Sequence, residues 1–186
     1  MTASEPLQIV GQAVFFTTGN LYRSGINVWD PDHGFRPFIR YLGDWTRGAG
    51  NLGTDGVDLV WSYGEGKEPG GTLLSYPIRS VMTSPFTTDP ASVVPRRLRS
   101  EPPLNLAQHR WRVGCGYAAH EGTASSLFVV RLSDGWSWTI PGAAGRTFYK
   151  AIGVTCEEVF ALGSMGEHAN IARFRLDSLG PGSPPD

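Results

Sequence analysis

Apolar and polar positions alternate in short runs, and the runs recur along the chain. Ile26-Asn-Val-Trp-Asp30 and Ala172-Arg-Phe-Arg-Leu176 interchange apolar and polar residues with period two. That spacing turns one strand face to a core and the other to water. Four segments carry a first apolar run that ends near a glycine. They are Ala13-Val-Phe-Phe-Thr-Thr-Gly19, Asp58-Leu-Val-Trp-Ser-Tyr-Gly64, Gly116-Tyr-Ala-Ala-His-Glu-Gly122 and Glu158-Val-Phe-Ala-Leu-Gly163. The closing glycines are 45, 58 and 41 residues apart. Each first run is followed by a second: Gly25–Asp30, Thr72–Pro77, Leu127–Leu132 and Asn170–Leu176. Third runs follow at Phe35–Tyr41 and Trp136–Ile140. Turn sequences separate them at Asp30-Pro-Asp-His-Gly34, Ser133-Asp-Gly135 and Asp177-Ser-Leu-Gly180. In such turns glycine supplies positive φ and Asp hydrogen-bonds its own backbone. Thr155–Leu162 is the one stretch that could form a helical turn, and its place in the repeat predicts a strand.

A period of roughly 40–50 residues, each unit holding several short strands, predicts blades packed face to face. The expected fold is all-β: a β-propeller, or a partial propeller, of about four blade-like antiparallel sheets. The units cover residues 7–42, 50–103, 108–141 and 147–182 of a single repeat domain. The second is irregular, with an insertion from Met82 to Pro103 rich in Pro, Ser and Arg that reads as a long loop. Four units suit a closed four-bladed ring, and equally part of a larger one. An open array leaves two blade faces and several strand edges exposed, so a homodimer that completes the ring or covers its edges is expected as one remedy.

Thr54-Asp-Gly-Val-Asp-Leu-Val-Trp-Ser62, followed by Leu73-Leu-Ser-Tyr-Pro-Ile78, resembles the blades of propellers of the YWTD, SMP-30 and PQQ-like type. Glu158-Val-Phe-Ala161 and Ile171-Ala-Arg-Phe-Arg-Leu-Asp177 look like a second copy. The resemblance implies a blade architecture and covers most of the chain. The Tyr-Trp-Thr-Asp tetrad itself is absent, and none of those families' ligand-binding residues maps onto this sequence.

Composition narrows the partners. Sixteen basic and 17 acidic side chains leave a formal net charge of −1. That gives no electrostatic reason to expect nucleic acid or an anionic membrane. No stretch is long and apolar enough to span a bilayer as a helix. The N-terminal residues lack the basic and apolar regions of a signal peptide. A cytoplasmic location is the default expectation, and a secreted or periplasmic one follows if the chain is a fragment. Cys115 and Cys156 read first as two buried thiols; the alternative is a disulfide, which needs an oxidising compartment.

Candidate chemistry is sparse. Asp30-Pro-Asp-His-Gly34 begins like a calcium loop but has Gly34 and Tyr41 where oxygen ligands belong. Leu132-Ser-Asp-Gly-Trp-Ser-Trp138 lacks the spacing of an Asp-box. Cys115 and His120 lie five apart, which on a strand puts them on opposite faces. His33, His109, His120 and His168 have no tight ligand spacing. No catalytic residue, metal site or cofactor is expected. Arg96-Arg97-Leu-Arg99, with Arg110 and Arg112, reads as a solvated surface cluster, with an anion contact as the alternative. Trp29, Trp61, Trp136 and Trp138 sit in or beside strands and read as packing residues. Trp45, between Asp44 and Arg47, reads as an exposed recognition aromatic. The connections around 19–24, 45–47, 64–67 and 163–168 are expected to converge at one end of the channel. Contacts there would come from Tyr22, Arg23, Trp45, Arg47, Lys67 and His168. The expected function is a non-catalytic binding or scaffold module for a protein, small-molecule or glycan ligand. The alternatives are a hydrolase or lactonase-like propeller enzyme with a channel metal, for which Asp55 and Asp44 are candidate ligands, and an isolated piece of a larger propeller.

Overall fold

The computed structural model describes residues 8–18, 25–39, 47–65, 78–100, 110–122, 126–142, 148–165 and 168–186. The chain is all-β, in four antiparallel meanders. The first sheet holds β1 (Gln8–Val10), β2 (Ala13–Thr18), β3 (Gly25–Asp30) and β4 (Gly34–Ile39). The second holds β5 (Arg47–Thr54), β6 (Asp58–Glu65), β7 (Ile78–Pro85) and β8 (Arg96–Ser100). β9 (Arg112–Gly114), β10 (Tyr117–Glu121), β11 (Leu127–Arg131) and β12 (Ser137–Ile140) form the third. β13 (Phe148–Val154), β14 (Glu158–Met165) and β15 (His168–Arg175) form a three-stranded fourth. Strand order follows sequence order in every sheet, so each meander closes through local hairpins.

Period-two side-chain alternation lets each middle strand serve two neighbours. In β6, Leu59 and Trp61 pack toward the first sheet while Val60 packs toward the third. In β10, Ala118 faces the second sheet and Ala119 the fourth. The result is three apolar seams. Phe15, Ile26, Val28 and Phe38 meet Leu52, Leu59 and Trp61 in the first. Val60, Val81 and Leu98 meet Trp111, Phe128 and Val130 in the second. Ala119, Leu127 and Val129 meet Ala151, Val159 and Ala161 in the third. A closed ring of four sheets would have a fourth seam, joining the first sheet to the last. Among the described residues there is none, and the sheets form an open arc.

The first strands of the sheets run along the inside of the arc, β5 packing against β1 and against β9, and β9 against β13. Close approach there depends on glycine. A Cβ on Gly53 would lie 2.4 Å from the Trp111 carbonyl oxygen, and one on Gly114 2.3 Å from that of Val154.

Several expectations need correction. The Met82–Pro103 segment is not a long loop: it completes β7 and contains β8, and the bend between them holds a short 3₁₀ turn at Pro90–Ser92 capped by Asp89. The second run expected at 72–77 lies outside the described residues, and the strand there is Ile78–Pro85. Cys115 and Cys156 are not buried thiols. They form a disulfide, with Cα atoms 4.9 Å apart, that joins the β9–β10 turn to the β13–β14 turn. Trp61 is fully buried, as a packing residue should be, but Trp29 is 43% and Trp136 36% exposed.

Candidate functional site

Antiparallel meanders send their connections to two ends of the arc, and the two ends differ. One end carries the turns at 11–12, 31–33, 55–57, 115–116, 132–136 and 155–157, together with 86–95. Most are tight because a side chain caps them. Asp30 Oδ1 accepts hydrogen bonds from the Asp32 and His33 N–H groups, at 3.1 and 2.9 Å. Asp55 Oδ1 accepts from Val57 and Asp58, at 2.9 and 3.0 Å. Thr155 Oγ1 accepts from Glu157 and Glu158. Asp134 accepts from the Trp136 N–H while paired with Arg131. Cys115 and Gly116 both have positive φ, 49° and 76°, the geometry of a two-residue hairpin whose twist matches its strands.

Asp30, Asp55, Asp89 and Asp134 at this end are committed to turns. Asp30 is held well below the usual carboxylate range, first by its hydrogen bond from Arg36. Asp58 is pushed up by burial and by the charge of Asp55. The calcium-like start at Asp30 is a capped hairpin that Arg36 ties to the Thr88 carbonyl, at 2.9 Å. Asp55, a candidate metal ligand by sequence, is a turn cap. Asp44 lies outside the described residues. Among the described residues no three His, Cys, Asp or Glu side chains gather in a metal-binding group.

At the other end β2, β4, β6, β8, β10, β12 and β14 finish and the strands that follow them begin. Of the six sequence-predicted binding residues, two fall among the described residues. Arg47 opens β5 and His168, exposed, opens β15. These two stand on the second and fourth sheets, with the third between them. Tyr22, Arg23, Trp45 and Lys67 lie outside the described residues.

Sequence reasoning missed a polar cluster in the seam between the second and third sheets, toward this same end. Trp111 Nε1 donates to Ser62 Oγ at 3.2 Å, and Asn51 Nδ2 lies 3.5 Å from the same oxygen. Asn51 sits in a β-bulge of β5 with φ 56°. The His120 ring meets Trp111 edge-on, centroids 4.1 Å apart, and lies 5.3 Å from Phe128. His120 Nδ1 donates to the Glu121 carbonyl. Arg79 pairs with Gly64, two positions from Val81, so its side chain is on the face of β7 that meets the third sheet. Arg79 and His120 are only 6% and 2% exposed. In the sequence they stand among strand residues with no spacing that marks them.

The basic cluster on β8 is spent inside the molecule. Arg96 donates to the Leu132 and Ser133 carbonyls. Arg97 reaches Ser80 Oγ and Asp186, and Arg99 reaches Ser137, Gly135 and the Ser183 and Pro184 carbonyls. The C-terminal residues run back along β12, where Ser137 and Ser183 exchange two backbone hydrogen bonds. Asp186 then accepts from the Ser100 N–H and hydroxyl.

Consecutive antiparallel meanders packed face to face around an inner row of first strands are the architecture of a β-propeller. The chain is similar in structure to an oligogalacturonate lyase in complex with manganese, with a TM-score of 0.57 at 13% identity. The similarity covers 94% of this chain and 46% of that one, so this chain spans about half of that structure's length. No protein-family model matches the sequence, and no curated protein matches it.

Proposed function

We propose that this chain is a binding module of propeller type whose ligand sits at the end of long connections, over the seam between the second and third sheets. The observation that carries this reading is the contrast between the ends. At one, Asp30, Asp55, Asp89 and Asp134 cap turns. Toward the other, a buried arginine, a buried histidine and a tryptophan share the seam with Ser62 and Asn51, and no turn requires them. A largely desolvated guanidinium is suited to a carboxylate or other planar anion. Arg47, at the start of β5, adds positive charge to this reading, and Trp45 and Lys67, both outside the described residues, are proposed to add an aromatic face and a further charge. The ligand class that fits is an acidic glycan or a comparable carboxylate-bearing small molecule. The name of the lyase neighbour, which refers to an oligomer of a uronic acid, supports the same class. The resemblance to the YWTD, SMP-30 and PQQ-like families contributes blade architecture and no ligand residue.

Calorimetric titration with oligogalacturonate tests this. Saturable binding is expected, weakened at least about tenfold by Trp45→Ala or Arg47→Ala and unchanged by Arg131→Ala at the capped end. No binding, or equal losses from variants at both ends, would rule the reading out. The enzyme alternative takes its support from the neighbour's name. It predicts cleavage of the same probe in the presence of manganese, and binding without cleavage would separate the two.

A further inference from the structure

The outermost faces of the arc repeat the pattern of its internal seams. The hairpin register aligns Val14 and Phe16 of β2 with Leu59 and Trp61, Ala118 and His120, and Val159 and Ala161. In the last three sheets these positions face the preceding sheet. In the first sheet they face outward, and one row across it is wholly apolar: Ile9, Val14, Trp29 and Phe35. Ile9 and Phe35 are 65% and 57% exposed. At the far end of the arc the opposite parity is left over. Phe160 corresponds to Phe15, Val60 and Ala119, which face the following sheet. Around it Ile152, Leu162 and Ile171 are 40%, 39% and 64% exposed.

An inner-strand glycine gives a second, independent sign. Gly53 pairs with Val60, and Gly153 with Phe160, so the two are equivalent. Gly53 is filled by Trp111 of the following sheet. A Cβ on Gly153 would meet nothing within 4 Å among the described residues. The fourth sheet therefore carries the seat for a following blade, and the first sheet carries the face that such a blade presents.

We propose that two copies of this chain associate head to tail, the first sheet of each seated on the fourth sheet of the other. Unlike faces meet twice, and the assembly closes on a two-fold axis as a ring of eight sheets. Heterologous contacts that close give rings rather than filaments, and eight blades lies within the usual range of about 4–8. Continuity with the internal seams argues for a blade face as the occupant. Two copies also supply about the length of the lyase chain, of which one copy spans 46%. Arg173 and Arg175 share the parity of Ile171 and so lie on this face, Arg173 over the Phe160 ring and paired with Glu158, where their stems and charges would meet the rim of the partner's Trp29–Phe35 row.

Light scattering coupled to size exclusion tests the ring. The full chain is expected at twice its 20.2 kDa mass. Trp29→Arg and Ile171→Glu, each made on an exposed side chain, should each halve that mass while leaving the far-ultraviolet circular dichroism unchanged. Mixing the two variants leaves one intact seam, Trp29 on Ile171, and should restore a two-chain species at higher concentration. A single-chain mass for the unaltered protein would overturn the proposal. So would a dimer broken by only one of the substitutions, which would mean that like faces meet.

Discussion

The second and third seams do the same job with different materials. Between the second and third sheets the centre is bulky: Trp111, Phe128, Leu98 and Val81, with Trp111 hydrogen-bonded to Ser62. Between the third and fourth, three of the six central residues are alanines, Ala119, Ala151 and Ala161, and the larger side chains such as Trp138 and Phe174 are only partly buried around them. Burial stabilises by about 25 cal/mol per Å² of apolar surface, so an alanine-centred seam gains less at its middle. That seam is the one crossed by the Cys115–Cys156 disulfide. Where packing is thick the sheets hold by contact; where it is thin a covalent bond limits how far they can part.

The largest effect should come from removing the centre of the thick seam. Trp111→Ala opens a cavity and leaves Ser62 without its indole donor, and an aromatic-to-alanine change of this kind costs about 3–5 kcal/mol. A fall in the chemical denaturation midpoint measures it. Next comes Cys115→Ser together with Cys156→Ser. Loss of a disulfide typically costs about 2–4 kcal/mol, and hydrogen exchange should rise first in β13–β15 rather than in β5–β8. If the double variant costs more than Trp111→Ala, the contrast between the seams is reversed. The smallest effect is the C-terminal clamp, which touches both the second and third sheets. Asp186 is lowered to about 2, from an ordinary 3.8, chiefly by the Ser100 hydroxyl and N–H and further by Arg97. A lowered carboxylate stabilises above its unfolded value and loses that contribution as pH falls through its folded value. The Ser100 amide should therefore stay protected above about pH 4 and lose protection toward pH 2. Asp186→Asn should remove that acid step, and an unchanged step would assign it to another group.

The four-unit repeat was legible because turn chemistry and period two reinforce each other at Asp30–Gly34 and Ser133–Gly135. The fourth strand of the second sheet was not. Arg96, Arg97 and Arg99 look like solvent-facing loop, yet β8 is an outermost strand whose arginines satisfy neighbouring carbonyls and hydroxyls. The disulfide was open for a similar reason, since a spacing of 41 residues does not show that two turns stand side by side. For the candidate site, strand polarity puts Arg47 and His168 toward one end, on sheets separated by a third. Arg79 was not singled out, and His120 was weighed only against Cys115 and the other histidines, because burial of a polar side chain is a property of the neighbouring sheet, which its own strand does not encode.

The returning tail also sets an order of events for the growing chain. Ser100 waits 86 residues for Asp186, and Ser137 waits for Ser183. Each hairpin can form as it leaves the ribosome, because its partner strand is adjacent. The contacts of Ser183 and Asp186 with the outer edges of the third and second sheets cannot form until those residues have been made. Until then Ser100 of β8 and Ser137 of β12 lack these partners, so the interval before residues 183–186 emerge is when these edges are most open to pairing with the wrong strand.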